Sequence, residues 1–277
     1  MCPYTPPGFL REYSSEGTPV VLVGDILGGY ASWRAHAERL LERRPRGRNW
    51  RVIAVSPLVV GYAAQGEPAP EPWSMGSEAD ALAAALDNIG VRSAHVGGWS
   101  LGGAVAIAFA MTYPERTRSL TLVEPQVRWV LRALGREGEA DADAEEMRTY
   151  AAGPGVDEAT LVHFLHKVGA VAEGEDPRES RAWRLAWTHR LAIHYAHRIV
   201  EHHDGVERLA RLTMPALIVR GADTDATDRA MSDALAELLS DAERLVLPGG
   251  HTSHMRAMDP FLDALTCLVE RAEPRPS

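Results

Sequence analysis

Short apolar runs alternate with longer stretches of helical spacing along most of this chain. Val20-Val21-Leu22-Val23, Trp50 to Val55, Ser93 to Gly98 and Arg118 to Val123 are short and apolar, and the first two are bounded by Pro or Gly. Such runs predict strands buried on both faces, as in a parallel sheet. Between them, Ser32 to Arg44, Ser77 to Ile89 and Leu101 to Tyr113 read as helices, the last stopped by Pro114. Residues 57–73 are rich in Pro and Gly and predict a loop. Strands separated by helices in this way call for a sheet covered by helices on both faces.

The alternation stops at about residue 126. From there to residue 212 no convincing strand appears, and charged, Ala-rich and aromatic stretches recur at helical spacing. The acidic run Glu137 to Glu146 predicts a solvated loop or helix face. The strand rhythm resumes at Pro215 to Arg220, followed by a helix from Asp228 to Leu239, a strand at Arg244 to Leu247 and a helix from Asp259 to Arg271. The expected architecture is therefore α/β: a mostly parallel sheet flanked by helices, built from residues 1–125 and 213–277. An all-helical insertion, 126–212, interrupts it.

Composition narrows the function classes. The 277 residues carry a formal net charge of −9, with 45% hydrophobic and 24% charged side chains. A surplus of carboxylates argues against a general nucleic-acid or anionic-membrane binder. Two cysteines, Cys2 and Cys267, form neither a disulfide framework nor a zinc motif. Met1 to Leu10 lacks the pattern of a signal peptide, and no stretch reaches 18 apolar residues. The expectation is a cytoplasmic protein acting on a small molecule.

The chemistry concentrates at Gly98-Trp99-Ser100-Leu101-Gly102, a G-x-S-x-G string between a predicted strand and a predicted helix. A serine raised on so tight a turn needs small neighbours two residues to either side, so that strand and helix can approach. The turn lifts its hydroxyl above the sheet edge and places the Leu101 N–H at a helix N-terminus, where an oxyanion is stabilised. A Gly-rich turn with a serine cap would give the same string, so the partners matter. A nucleophilic serine needs a base and an orienting acid. Asp223 and Asp225 follow one late strand, and His251 and His254 follow the other.

With these pieces the sequence resembles the α/β-hydrolase superfamily, over nearly the whole chain outside the insertion. The resemblance rests on Val20–Trp33, the Ser100 turn, Tyr113-Pro114-Glu115-Arg116, the Gly221–Asp225 loop and the Gly249–His251 loop. It implies Ser100 as nucleophile, His251 as general base because that histidine directly follows a glycine, and Asp225 as the acid, with Asp223 as alternative. Family members usually carry His-Gly after their early strand, and the next amide completes the oxyanion hole. Here Gly24-Asp25 aligns with that pair, which makes Ile26 the second donor, or Asp25 after a one-residue shift. An ionised Asp25 would oppose a developing oxyanion unless it points away or is paired.

The insertion is expected to cap the site and set specificity. Trp129, Trp183 and Trp187, with Trp99 of the turn, are the expected pocket residues and favour an apolar or aromatic substrate. His163/His166 and His194/His197 have spacings that can bind a metal on a helix, but no third ligand is placed by the sequence, and solvated histidines are the expectation. No dinucleotide fingerprint or P-loop is present, so no cofactor or metal is expected. The leading function is acyl-transfer hydrolysis of an ester, lactone or thioester through an acyl-enzyme. The atypical Gly24-Asp25 loop keeps open a lyase or cyclase using the same triad as acid and base. A slow-turnover binding protein on the same fold is the third possibility.

Overall fold

The computed structural model describes residues 8–43, 49–150, 156–171, 174–180 and 182–273. Cys2, the extreme N-terminus and the last four residues lie outside them. Seven strands form one sheet in the order β1-β3-β2-β4-β5-β6-β7. They are β1 (Leu10–Glu12), β2 (Thr18–Val23), β3 (Trp50–Val55), β4 (Ala94–Trp99), β5 (Thr117–Val123), β6 (Ala216–Gly221) and β7 (Ala242–Leu247). Every pairing is parallel except β1 with β3. β1 is too short and polar to stand out from its pattern, and it exists by covering the edge of β3.

The continuous apolar runs are explained by burial on two faces. In β2, Val20 and Leu22 join Trp33, Leu40, Phe261 and Leu265 on one side, whereas Val21 and Val23 join Leu82, Leu86 and Phe109 on the other. Successive strand residues point to opposite faces, so a sheet clothed on both sides needs apolar residues at every position. Helices α1 (Arg34–Leu41) and α14 (Met258–Ala272) supply the first face. Helices α3 (Met75–Asn88), α4 (Leu101–Thr112) and α12 (Ala226–Leu238) supply the second. The outer strand β7 exposes Glu243, Arg244 and Val246, and its charges discourage pairing with another sheet.

One predicted loop contains a helix. Within 57–73 lies α2 (Leu58–Ala63), whose first amides are capped from a distance. Glu78 of α3, only 1% exposed, accepts from the Leu58 and Val59 amides and from Trp73 Nε1. Burial pushes the Glu78 carboxyl up to about 7 against the pull of those donors. Local Pro and Gly content gave no hint of a cap supplied twenty residues away.

Between β5 and β6 the described chain is helical, from α5 (Arg128–Ala133) through α8 (Glu158–Lys167), α9 (Trp183–His189) and α10 (Ala196–Glu201) to α11 (Val206–Ala210). The acidic run is partly used inside this segment. Asp143 meets buried Arg128 and also Lys167, which in turn contacts Glu146. Among the described residues no helix is long and apolar enough to cross a membrane.

Candidate active site

Five loops converge at the C-terminal ends of β2, β4, β5, β6 and β7, where ligand sites form in open parallel sheets. After β4 the backbone turns sharply at Ser100, with φ 56° and ψ −120°. A non-glycine residue there costs on the order of 1–3 kcal/mol and persists only when its surroundings over-determine it. They do so here by close approach. A Cβ on Gly98 would lie 2.0 Å from the Gly102 carbonyl oxygen, and one on Gly102 would lie 2.2 Å from that of Val23. The Ser100 amide donates to the Val123 carbonyl at 2.9 Å, tying the turn to β5.

His251 sits in the loop after β7, its carbonyl accepting from Trp99 Nε1 at 3.0 Å. Its Nδ1 lies 2.7 Å from Glu124 Oε2 and 3.1 Å from Asp228 Oδ2. Glu124 was not anticipated. It directly follows β5, is fully buried, and has φ 41°. Besides His251 it accepts from the Gly221 amide at 2.7 Å and the Thr224 hydroxyl at 2.8 Å. Burial would raise its pKa, but His251, Gly221 and Thr224 outweigh that and hold it below the usual carboxylate range. Burial would also neutralise His251, yet its bonds to Asp228 and Glu124 leave its pKa well above that of free imidazole. An acidic residue at the end of the strand beside the one that leads to Ser100, in Val123-Glu124-Pro125, was the available signal.

This changes the expected acid. Asp225 caps α12, its carboxylate accepting from the Asp228 amide at 2.8 Å. Asp223 is exposed, and its amide donates to Gly249. The helix begins so soon after β6 that Asp225 is used as its cap, while Asp228, one turn on, faces the imidazole. His254, the other histidine considered, is wholly buried and stacks on His36 at 5.1 Å, away from the carboxylates.

Asp25 resolves in a similar way. Its carboxylate accepts from the Leu27 amide at 3.2 Å and the Gly28 amide at 3.1 Å. Burial pushes its pKa up, which reduces its charge, while Leu27, Gly28 and Ser32 hold it back. Asp25 thus shapes the turn. Among the described residues, neither the Ile26 nor the Leu101 amide donates to a protein acceptor.

Ser100, Leu101, Ile26, Asp25, Asp228 and His251 all line one cavity of about 440 Å³. One wall comes from the insertion, which brings apolar Met147, Phe164, Leu185 and Ile199 together with charged Arg128, Asp143 and Lys167. Of the four expected pocket tryptophans only Trp99 lines it. Trp129 is buried within the insertion beside His202. Trp183 and Trp187 stack on each other at 5.9 Å, with Trp187 exposed beneath Arg190. Spacing of four residues put these two rings on one helix face, but that face does not line the cavity: Trp183 packs partly buried against the core and Trp187 is exposed.

Glu124, Asp228 and His251 are also the one described cluster with three potential metal ligands. The 2.7 Å separation of Oε2 and Nδ1 is that of a shared proton, closer than two atoms around one zinc ion normally stand. His163 is exposed beside Glu146, and His194 and His197 lie against backbone carbonyls.

The sequence profile described as the alpha/beta hydrolase fold matches residues 18–257. The chain belongs to the α/β-hydrolase fold family. Among curated relatives of this α/β hydrolase is a RutD protein of Azorhizobium caulinodans, provisionally named a carbamate hydrolase. It is 28% identical over 83% of each chain. The pimeloyl-[acyl-carrier protein] methyl ester esterase of Chromobacterium violaceum is 28% identical over 71% of this chain and 76% of its own. A solved hydrolase from Pseudomonas aeruginosa superposes with a TM-score of 0.74 at 22% identity, covering 94% of this chain and 93% of its own.

Proposed function

We propose that this α/β hydrolase is a serine hydrolase cleaving an ester, lactone or thioester of a small, mainly apolar molecule. The observation that carries the reading is a histidine held at Nδ1 by a buried carboxylate, in the same cavity as a serine with left-handed backbone on a strand–helix turn. Ser100 Oγ attacks the carbonyl carbon as His251 Nε2 takes its proton. Glu124 keeps the opposite nitrogen protonated and stabilises the imidazolium that forms, with Asp228 assisting. The free amides of Leu101 and Ile26 receive the oxyanion. His251 returns the proton to the leaving group, and water, activated by the same base, releases the acid. The inserted helices act as a cap over this chemistry; the apolar side chains they contribute favour a mainly apolar substrate, while Arg128, Asp143 and Lys167 put charge on the same lining.

The carbamate and methyl ester named for two relatives each present a carbonyl carbon bearing a heteroatom leaving group, which supports acyl transfer. The atypical loop that kept a lyase or cyclase open carries less weight, because Asp25 spends its oxygens on neighbouring amides.

A fluorophosphonate probe followed by peptide mass spectrometry tests the reading. Labelling of Ser100 that disappears in His251→Ala is expected. Turnover surviving Ser100→Ala would favour lyase or cyclase chemistry. Saturable binding without turnover across a panel of esters, lactones and thioesters would favour a receptor.

A further inference from the structure

The inserted helices reach the loop after β2 through one described hydrogen bond. His189, the last residue of α9 and only 8% exposed, places Nδ1 2.6 Å from the Leu27 carbonyl oxygen. A carbonyl can only accept, so Nδ1 carries the proton. Leu27 is thereby held at both ends: its amide donates to Asp25 and its carbonyl accepts from His189. Ile26, whose amide is the second oxyanion donor in the reading above, immediately precedes it. On the far side the Gly28 amide donates to the Asp25 carboxylate and Gly29, with φ 53°, donates to the Asp25 carbonyl at 3.1 Å, so the turn is tied within itself and His189 adds the tie to the insertion. Other ties between the insertion and the rest of the chain lie elsewhere, such as Tyr195 on Ala69 and Arg198 on Glu71.

We propose that His189 is a positioning residue through which the inserted helices align the oxyanion loop. The inference rests on the serine-hydrolase reading. With the insertion seated, the imidazole N–H fixes the Leu27 carbonyl and so the direction of the Ile26 amide. With it lifted, the loop keeps its internal bonds to Asp25 but loses its tie to the insertion, and the Ile26 amide is less firmly aimed. Full hydrolytic power then belongs to the closed pocket, where the substrate is already shielded from water. Loss of the imidazole N–H acts on the rate of acylation and leaves ground-state binding, made mainly by the insertion's apolar side chains, nearly intact.

The test compares wild type, His189→Leu and His189→Asn, the last carrying a side-chain N–H close to the position of Nδ1. The readouts are kcat and KM for 4-nitrophenyl butyrate, the rate of fluorophosphonate labelling of Ser100, and the melting temperature. His189→Leu is expected to lower kcat and the labelling rate by roughly 10–100-fold, with KM changed by less than about threefold. His189→Asn is expected to recover to within about threefold of wild type. A folded His189→Leu protein that turns over and labels at the wild-type rate overturns the proposal. So does a loss confined to KM, or an Asn variant as slow as Leu. If His189→Leu does not fold, His189→Ala takes its place in the same comparison. Labelled wild type with an unaffected variant sinks the clamp alone, whereas wild type unlabelled at Ser100 sinks the hydrolase reading and the clamp together.

Discussion

Replacing Glu124 by glutamine makes a sharp test of the site. The carboxylate faces three donors: the Gly221 amide on Oε1, and the Thr224 hydroxyl and His251 Nδ1–H on Oε2. Glutamine brings one oxygen and one NH2. The Gly221 amide cannot turn round, so the oxygen must stay there and the NH2 must face Thr224 and His251. The threonine hydroxyl can rotate to accept. His251 can accept only by moving its proton to Nε2, the nitrogen that has to receive the proton of Ser100. Swapping the orienting carboxylate for an amide in a serine triad costs about 10⁴-fold in kcat. Asp228, at 3.1 Å, still favours the productive tautomer, so Glu124→Gln is expected to lose about 10³-fold, or ~4 kcal/mol. Asp228→Asn, which leaves the shorter bond intact, should lose only about tenfold by the same scale. Steady-state kcat and KM on an activated ester, with circular dichroism to establish folding, measure both. The pH profile adds a sign. His251 must be neutral to act as base, and the two carboxylates hold its pKa above the ordinary 6.5. Activity should therefore fall as pH drops through a point above 6.5, and that limb should move to lower pH in Glu124→Gln. A folded Glu124→Gln enzyme within fivefold of wild type, beside an Asp228→Asn enzyme crippled 10³-fold, would refute the assignment of Glu124.

Three further outcomes follow from other parts of the molecule. Gly102→Ala puts a Cβ 2.2 Å from the Val23 carbonyl, against backbone that cannot yield, and should cost more than ~3 kcal/mol or abolish soluble expression; a melting temperature near wild type would contradict this. Asp25→Asn keeps an acceptor for the Leu27 and Gly28 amides and should retain kcat/KM within about threefold, whereas Asp25→Ala should lose ~1 kcal/mol of stability and activity with it, read by thermal melts and kinetics. His36 is buried and held down to about 4, so the folded chain refuses a proton that the unfolded chain accepts near 6.5. Its contribution is complete above 6.5 and is lost as pH falls towards 4, at up to ~1.4 kcal/mol per pH unit, so denaturant melts of His36→Leu should show a flatter decline in that window than wild type.

What the sequence disclosed, and what it hid, divides by range. The strands, the flanking helices and the Ser100 turn depend on local composition and on glycines at fixed offsets, and these were readable as written. His251 could be singled out because its loop had to follow a strand. Its carboxylate partners could not, because two aspartates in the expected loop drew attention from Glu124 after β5 and from Asp228. Nothing local distinguishes an aspartate that caps a helix from one that faces an imidazole; the difference is which turn of α12 it occupies. The tryptophans failed for a related reason. Helical spacing shows which residues share a face, while the direction of that face depends on how the inserted helices pack. α2 and β1 were hidden because each is completed by a partner distant in sequence, Glu78 for one and β3 for the other.

The hydrogen bond from the Ser100 amide to the Val123 carbonyl has a mechanical consequence. Ser100 is the donor of that bond and Glu124 directly follows its acceptor, each just past the end of one of two neighbouring strands whose register is fixed from His95↔Ser119 to Trp99↔Val123. Shear within the sheet therefore carries both together, and both precede the insertion in the chain. The helices above can be lengthened or replaced without altering the spacing between Ser100 and Glu124. Changes to the roof can therefore reach the loop after β2 through His189 while leaving this Ser100–Glu124 pairing as it is.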